Sequence, residues 1–289
     1  MLKSMTGFGK ATHIIRDKKV NVEIRSLNSK SLDINARISH EYKELEPEIR
    51  KLIADELVRG KVDFSLSVEH VGKSSPMKVN SELAKQYHEQ LKELNTAIGN
   101  TTDDYLTLLL RMPEIYSTAG NELTPDDKKE TMRVVTNACA EINTFRSKEG
   151  GELQQEFAAR IDDIDKLLQE IPKYEAERIV TVKERIKKSL EELVGSANYD
   201  ENRFEQELIY YIEKLDVAEE KMRLANHLDY FRKTMQKEGS GKKLGFITQE
   251  IGREINTLGS KSNHAEMQKC VIQMKDNLEK IKEQVLNTL

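Results

Sequence analysis

The alternation of apolar and polar residues predicts β-strands in the first seventy positions. Strict alternation runs through VNVEIRS (20–26), LDINARI (32–38) and VDFSLSV (62–68), as expected of strands with one face packed and one face in solvent. TGFGKAT (6–12) fits a first strand before a turn near Asp17. Between the third and fourth strands, residues 41–58 carry apolar side chains at helical spacing. The pattern predicts a βββαβ unit with its helix on one face of the sheet.

Helical periodicity dominates after the segment 72–76. It predicts helices over 77–97 and 101–111, and a third that begins at Pro125, because proline suits the first position of a helix. This third helix is predicted to run through RSKEGGEL (146–153) to about Val194. Leu153, Phe157 and the apolar residues that follow them have heptad-like spacing, which predicts a partner helix or a helical hairpin.

Proline and glycine predict where the helical region is broken. Pro172 is expected to kink or end the third helix. Residues 195–202 are interpreted as a hinge before a last helical block, 203–289, interrupted only at KEGSGKK (237–243). The predicted fold class is therefore α+β. We expect an N-terminal sheet unit (1–72), a helical middle region with long coiled-coil-like helices (73–200) and a C-terminal helical domain (201–289).

Composition limits the classes of function. The 289 residues include 46 Lys and Arg against 50 Asp and Glu, so the net charge is −4 and nucleic acid could bind only at a local basic patch. No apolar run approaches the roughly 18 residues of a membrane span, and the N-terminus lacks the apolar core of a signal peptide. Cys139 and Cys270 are far apart and are interpreted as reduced thiols, so a cytoplasmic protein is expected.

A polar stripe follows residue 202. At about 100° per residue, five polar residues fall within one narrow sector of a helix flanked by apolar side chains. They are Glu213, Asp216, Glu220, Arg223 and His227.

A second polar stripe lies in QEIGREINTLGSKSN (249–263). Glu250, Glu254, Thr257 and Lys261 lie beside the apolar face of this helix, and Arg253 is next to them. Because the linker between the two helices is short, we expect them to pack antiparallel with their stripes converging.

The stripes allow two interpretations. Carboxylates with one imidazole could bind Mg²⁺, Mn²⁺ or Zn²⁺, and such an ion could polarise a phosphodiester. Arg253 and Lys261 suit phosphate oxygens, and Asn256, Thr257 and Ser260 can donate further hydrogen bonds. Glu and Lys at this spacing more often form ion pairs, and spacing alone favours interhelical salt bridges or an oligomer interface.

Basic residues also lie at the strands and strand ends of the N-terminal unit. A solvated sheet face that carries arginine is a plausible reader of a nucleic-acid backbone, and a face that only confers solubility is an equal alternative. The candidate RNA-binding residues of this unit are Arg25, Asn28, Lys30, Arg37, Arg59 and Lys61.

Several ordered motifs resemble the YicC family of bacterial endoribonucleases. They are KSMTGFG (3–9), EIRSLN (23–28) followed by LDI, RGKVD (59–63), RSKEGGEL (146–153), DVAEEKMRLANHL (216–228) and QEIGREINTLGSKSN. The resemblance spans both ends of the chain and is loose over about 75–140. Gly252 departs from it, standing where the family pattern has Asn, and a glycine inside a helix suggests a close neighbour there.

The resemblance implies metal-dependent cleavage of single-stranded RNA by a homo-oligomer, expected to be a hexamer. It implies functional groups within the two helical motifs, Asp216 and Glu219 among them. We assign catalytic roles to His227, Glu250, Arg253 and Glu254. The stripes favour Glu220, His227, Glu250 and Glu254 as ligands of Mn²⁺ or Mg²⁺. Arg223, Asn256, Thr257 and Lys261 complete the predicted RNA-binding set.

The nucleophile is open between water and the RNA 2′-OH, and the metal route is favoured because His227 is the only histidine in the matched motifs. The alternative function is a non-catalytic, oligomeric RNA-binding or adaptor protein, in which the stripes form ion-pair networks.

Overall fold

The computed structural model describes residues 2–71, 77–99, 104–118, 123–194 and 201–289. It confirms the α+β class, with a sheet at the N-terminus and mostly helices after it. The strands are β1 (Gly7–Ile15), β2 (Lys18–Leu27), β3 (Leu32–Ile38), β4 (Gly60–His70), β5 (Met77–Val79) and β6 (Tyr116–Thr118). The helices are α1 (Glu46–Leu57), α2 (Ser81–Ile98), α3 (Tyr105–Leu109), α4 (Pro125–Val194), α5 (Glu201–Leu215), α6 (Ala218–Met235), α7 (Gly241–Lys261) and α8 (Ala265–Val285). A 3₁₀ turn, His40–Leu45, precedes α1.

The N-terminal sheet has the strand order β1-β2-β4-β3. Its pairs are antiparallel except β3 with β4, which run parallel. A parallel pair needs a crossover, and the 3₁₀ turn with α1 supplies it. The predicted βββαβ unit is confirmed, and α1 and α4 both contribute to the core on its inner face.

One glycine sets the distance between β1 and α4. A Cβ built on Gly9 would lie 2.3 Å from the carbonyl oxygen of Ala138 and 2.7 Å from the amide nitrogen of Ile142. A side chain at this position would therefore collide with the backbone of α4. The close approach fixes the long helix against the sheet.

Helix α4 is 70 residues long and spans about 105 Å. Its predicted start at Pro125 is confirmed, it is helical as far as Val194, the last described residue before a gap, and Pro172 lies inside it without ending it. The proline removes one helical hydrogen bond, while buried neighbours such as Ile171 and Leu168 hold the helix in place. The first part of α4 packs on the sheet, and its middle part packs in a second core with α6, α7 and α8.

The C-terminal block is broken more often than the pattern predicted. Besides the expected turn between α6 and α7, α5 ends at Leu215 and α7 ends at Lys261. At the first break Val217 is fully buried, and Asp216 Oδ1 accepts a hydrogen bond from the amide of Ala218 at 3.1 Å. Asp216 therefore lies in the break between α5 and α6, where its side chain bonds the first amide of α6. Within the predicted hinge at 195–202, residues 195–200 lie outside the described ones and the rest begin α5.

The segment 77–118 also differs from its prediction. Met77–Val79 is a strand that pairs antiparallel with Tyr116–Thr118, and the helix predicted from 77 begins at Ser81. Asn80 accounts for that start, because its side chain accepts a hydrogen bond from the amide of Leu83 at 3.2 Å. The helix predicted over 101–111 is shorter, although 101–103 lie outside the described residues.

The two ends of the chain join the sheet to the helical core. Ser4 forms an antiparallel bridge with Thr288, and the amide of Met5 donates to the carbonyl of Asn287 at 2.7 Å. The amide of Gly241, at the start of α7, donates to the carbonyl of Leu289 at 3.2 Å. The first residues of α7 therefore lie beside the end of the sheet. None of the helices in the described parts of the chain has the length and apolar character that crossing a membrane requires.

Candidate functional site

The two polar stripes meet across the antiparallel pair α6 and α7. The Nζ of Lys261, at the end of α7, lies 2.8 Å from Glu220 Oε1, near the start of α6. Glu220 is only 7% exposed, so this ion pair is largely removed from solvent. The second carboxylate oxygen of Glu220 is buried and has no hydrogen-bond partner within the described residues. The predicted convergence of the stripes is thus seen at this end of the pair.

The register set by the Glu220–Lys261 ion pair implies that His227 and Glu254 lie at about the same level. His227 lies seven residues after Glu220, and Glu254 lies seven residues before Lys261. Seven residues are almost two helical turns, about 10 Å, so each side chain returns to the side on which the ion pair forms. His227 and Glu254 are both half-buried. An imidazole and a carboxylate thus border the same stretch of the seam between the helices.

The other predicted residues of the stripes bond within their own helices. Glu250 Oε1 lies 3.0 Å from the guanidinium of Arg253, and Arg223 pairs with Glu219 in the same way. The hydroxyl of Thr257 donates to the carbonyl of Arg253 at 3.1 Å. These are exposed or half-exposed contacts, which a phosphate could replace at a modest free-energy cost.

The seam does not form a complete metal site within one chain. In the parts of the chain that the structure describes, no three His, Cys, Asp or Glu side chains are grouped so that they could hold a metal ion. Of the four proposed ligands, Glu220 is paired with Lys261 and Glu250 with Arg253. The described residues of one chain therefore do not by themselves form a full ligand set for an ion.

Helix α4 contributes residues to the seam that the sequence did not indicate. Arg178 is 5% exposed, and its Nη1 donates to the carbonyl of Lys261 at 3.2 Å. Lys221, beside Glu220, pairs with Glu175 at 2.7 Å. These α4 residues lie in a regular helical run, where only tertiary structure reveals that they contact the motif. Arg178 holds the Lys261 end of α7 against the long helix, and Glu175 holds the start of α6.

The predicted RNA-binding residues of the sheet fall into two groups. Arg25, Arg37 and Lys61 are exposed on the face opposite the core. Arg25 is 5.6 Å from the centre of the Phe8 ring, which is 41% exposed and was not among the predicted residues. The face is not uniformly basic, because Glu23 pairs with Lys10 at 2.8 Å, which lowers the pKa of the Glu23 carboxyl through that hydrogen bond and charge.

The second group lies at the junction with the C-terminal helices. Arg59 Nε donates to the carbonyl of Ser29 at 2.8 Å, and Asn28 Nδ2 donates to the carbonyl of Leu286 at 2.9 Å. Asn28 and Arg59 thus anchor the loop that carries Lys30. Lys30 itself is exposed at the edge of a groove next to the start of α7.

Comparisons with known proteins identify the family of the chain. The family model of the endoribonuclease YicC-like N-terminal region matches residues 2–155, and that of the endoribonuclease YicC-like C-terminal region matches residues 171–288. The chain belongs to the YicC-like family. It is 31% identical over 291 residues to a protein of Clostridioides difficile (strain 630) named "Probable endoribonuclease YicC", with 99% of both chains covered. A protein of the same name from Haemophilus influenzae is 30% identical over 294 residues, again with 99% of both covered.

One of the motifs that carry the resemblance is structural in this chain. Arg146 in RSKEGGEL is 1% exposed and donates to the backbone carbonyls of Met5, Leu57 and Arg59. Glu149 Oε2 accepts a hydrogen bond from the hydroxyl of Thr6 at 2.9 Å. This motif joins the N-terminal segment, the sheet and α4, and thereby shapes the junction described above.

Proposed function

We propose that this protein is an endoribonuclease that cleaves single-stranded RNA with the help of a divalent cation, Mn²⁺ or Mg²⁺. The observation that carries the proposal is that His227 and Glu254 are both half-buried in the facing polar stripes of α6 and α7 in a YicC-like chain. The relatives' names, "Probable endoribonuclease YicC", support the reaction class. The alternative is a non-catalytic RNA-binding or adaptor protein, and the ion pair between Glu220 and Lys261 is the observation that favours it.

The proposed reaction is the cleavage of a phosphodiester bond at the seam. His227, Glu250 and Glu254 are the groups proposed to act on the phosphodiester, and Arg253 and Lys261 would bind phosphate oxygens. A bound divalent ion would supply charge neutralisation and an activated water. Mg²⁺ commonly binds through one or two carboxylates together with substrate phosphates, so RNA could complete a ligand set that one chain lacks.

We propose that the protein acts as a homo-oligomer, a hexamer by the family resemblance. Exposed apolar side chains on two separate regions support self-association. One region is α2 and α3, and its exposed residues include Leu94, Ile98, Leu106 and Leu108. The other is α5 and the distal part of α4, with Ile179, Val180, Ile209 and Tyr210 exposed. Light scattering coupled to gel filtration measures the subunit number.

The cytoplasm is the proposed location. Cys139 and Cys270 are both free and buried, which suits a reducing compartment. Burial, with a contribution from Glu56, raises the pKa of the Cys139 thiol to about 12, so this thiol is unreactive and has a packing role.

The decisive experiment follows cleavage of an end-labelled single-stranded RNA by the purified protein. Wild type, His227→Ala, Glu254→Gln and the control Glu283→Gln, an exposed carboxylate on α8, are compared with Mn²⁺, with Mg²⁺ and with EDTA. We expect cleavage with a metal ion, none with EDTA, and losses of at least about 100-fold in the two seam variants only. Cleavage unaffected by EDTA would refute metal dependence.

The chemistry of the product ends distinguishes the two nucleophiles. Attack by water usually leaves a 5′-phosphate and a 3′-OH, whereas attack by the 2′-OH leaves a cyclic or 3′-phosphate and a 5′-OH. We expect the first pair of ends if an ion activates water. If wild type binds RNA but never cleaves it under any of these conditions, the adaptor function replaces the nuclease.

A further inference from the structure

A groove lies at the junction of the sheet and α7, and we propose that it binds one nucleotide of the RNA strand outside the α6–α7 seam. The inference rests on the proposed function in taking RNA as the ligand. The groove has a volume of about 390 Å³, within the usual range for ligand sites. The residues that carry the proposal are Lys30 and Arg59 from the sheet unit and Lys242, Gly245, Phe246 and Gln249 from α7.

The charge of the groove sets it apart from other grooves of the molecule. Its charged lining residues, Lys30, Arg59 and Lys242, are all basic, although the whole chain has a net charge of −4. Three other grooves, on the outer face of the sheet, beside α5 and between α4 and α8, are each lined by both acids and bases. A local excess of positive charge is what a phosphate requires on an acidic protein.

The basic side chains are held by the fold. Arg59 uses Nε to bond the carbonyl of Ser29, and its two terminal nitrogens have no partner among the described residues, so they could bind a phosphate. Asn28, at the other side of the loop, is bonded to Leu286 and Asn287 at the end of the chain. Lys30 is thereby presented from an anchored loop rather than from a free one.

An aromatic ring lies beside these cations. Phe246 is 57% exposed on α7, one helical turn from Lys242 and from Gln249, so the three side chains share a face of the helix. Exposing a phenylalanine costs free energy that burial would recover. An RNA base stacked on the exposed ring would bury it and recover this free energy, and such stacking is worth about 1–3 kcal/mol per base.

A glycine next to the ring gives an independent reason to expect a ligand. Gly245 lies inside α7, where glycine costs about 1 kcal/mol relative to alanine. At Gly241 a Cβ would lie 2.3 Å from the carbonyl oxygen of Thr288, so packing explains that glycine. Among the described residues, and apart from its chain neighbours and the backbone of its own helix, no heavy atom lies within 4 Å of a Cβ built on Gly245. Packing within the described residues does not explain Gly245, and the open space beside it leaves room for a ligand to approach the helix backbone.

An exposed face of α7 runs from the groove towards the proposed cleavage site. Arg253 and Asn256 follow Gln249 at helical spacing on the same exposed face of α7. Phe246 and Glu254 are eight residues apart, about 12 Å along the helix. A strand whose base stacks on Phe246 could therefore continue along α7 towards the level of His227. This continuity favours an extended nucleic acid over a small molecule.

The test measures binding of a fluorescently labelled single-stranded RNA to the intact oligomer by anisotropy, in EDTA. We expect Phe246→Ala to weaken binding about 5- to 100-fold and Phe246→Tyr to bind as wild type, because a tyrosine ring also stacks. Phe145→Ala, which removes an exposed ring from α4, is the matched control and is expected to have no effect. Lys30→Ala with Lys242→Ala should reduce the dependence of affinity on salt concentration.

Gly245→Ala separates the ligand role from a structural one. A Cβ at Gly151, inside α4, also has no heavy atom within 4 Å, so Gly151→Ala is its control. Both variants are expected to unfold at the same or a higher temperature than wild type, because alanine favours helices. Only Gly245→Ala is expected to weaken RNA binding, at least about threefold, because the added methyl group would enter the groove.

The outcomes separate this inference from the proposed function. If wild type cleaves RNA and the Phe246 and Gly245 variants bind it as wild type does, the groove is refuted and the nuclease stands. If these variants lose binding while wild type cleaves no RNA, the groove stands and the nuclease is refuted. Failure of wild type to bind any single-stranded RNA would refute the groove directly.

Discussion

Replacing Arg146 with methionine tests how the sheet is joined to the helices. The guanidinium is 1% exposed and donates to the carbonyls of Met5 at 3.1 Å, Leu57 at 3.3 Å and Arg59 at 3.3 Å, and to the hydroxyl of Ser26. No carboxylate pairs with it within the described residues, and burial lowers the pKa of its guanidinium. The side chain therefore acts as a buried donor to the backbone rather than as a member of an ion pair.

The structure sets the expected loss of stability. In Arg146→Met the carbonyl of Arg59 loses this donor, which costs about 1–3 kcal/mol for a buried acceptor. The carbonyl of Met5 keeps the hydroxyl of Ser26 as a donor, and the carbonyl of Leu57 keeps the amide of Arg59. The hydrogen bond lost at each of these two carbonyls therefore costs about 0.5–1.5 kcal/mol of stability. The sum is about 2–6 kcal/mol, partly offset because methionine needs no desolvation of a charge. A loss of about 3 kcal/mol is expected.

Urea unfolding followed by circular dichroism, at one protein concentration, measures the change. Arg133→Met on the same helix is the control, because the Arg133 side chain is 72% exposed and its ion pair with Glu130 is long, at 3.8 Å. This substitution should change the free energy of unfolding by less than about 0.5 kcal/mol. Arg146→Lys keeps the charge with fewer donors and should lie between the two. If Arg146→Met and the control have the same free energy of unfolding, the guanidinium does not hold the junction together.

Three further predictions concern single contacts. Glu220→Gln should destabilise the protein by about 1–3 kcal/mol, because it leaves the half-buried ammonium of Lys261 unpaired. The loss should be smaller when Lys261→Met removes that ammonium, and purely additive effects in urea unfolding would contradict a direct pair. Burial acts to raise the pKa of the Asp127 carboxyl, but hydrogen bonds from Thr124 outweigh it and hold this pKa below its ordinary value. The carboxylate therefore stabilises the fold at neutral pH, and this contribution is lost as the pH falls below about 4. In Asp127→Asn the free energy of unfolding should change less between pH 7 and pH 3 than in wild type, and an unchanged pH dependence would refute this. Gly259→Ala would place its Cβ 2.9 Å from a buried valine of α8 and should cost about 1–3 kcal/mol in thermal unfolding, whereas an unchanged melting temperature would show that α8 yields.

The sequence predicts the strands well because their signal is local. Side chains alternate within each strand whatever its neighbours are, and Val22, Ile24 and Phe64 lie in the core as the alternation indicates. The order β1-β2-β4-β3 and the parallel pairing of β3 with β4 depend on contacts between distant residues. Alternation carries no information about which strands become neighbours, so the topology within the sheet could not be read in the same way.

Helix boundaries were predicted less well because short polar contacts set them. The periodicity of 203–289 continues through Asp216 and Ser262, yet helices end at both places. At the first break the side chain of Asp216 accepts a hydrogen bond from the amide of Ala218, a local contact that periodicity does not show. The strand Met77–Val79 exists only because Tyr116–Thr118 pairs with it. A pattern of three residues cannot show such a partner.

The candidate site was predicted in part for the same reason. Periodicity places His227 and Glu254 correctly on their helices, because each depends only on the spacing along one helix. It does not reveal that Glu220 is paired with Lys261, which requires the register between the helices. It also gives no indication of Arg178, which reaches Lys261 from 83 residues earlier in the chain. The residues that share one face of a helix can be found from sequence, whereas the residues of other helices that contact them cannot.

Helix α7 connects the two proposed parts of the function. Its start is bonded to the end of the chain, which in turn bridges to Ser4 and accepts a hydrogen bond from Asn28, so it is fixed to the sheet. Its end is held by Glu220 and by Arg178 of α4. A helix held at both ends keeps Phe246 and Glu254 at a fixed distance along its axis. RNA bound in the groove would therefore meet the seam at one position, so changes at the junction should alter where the strand is cut as well as how tightly it binds.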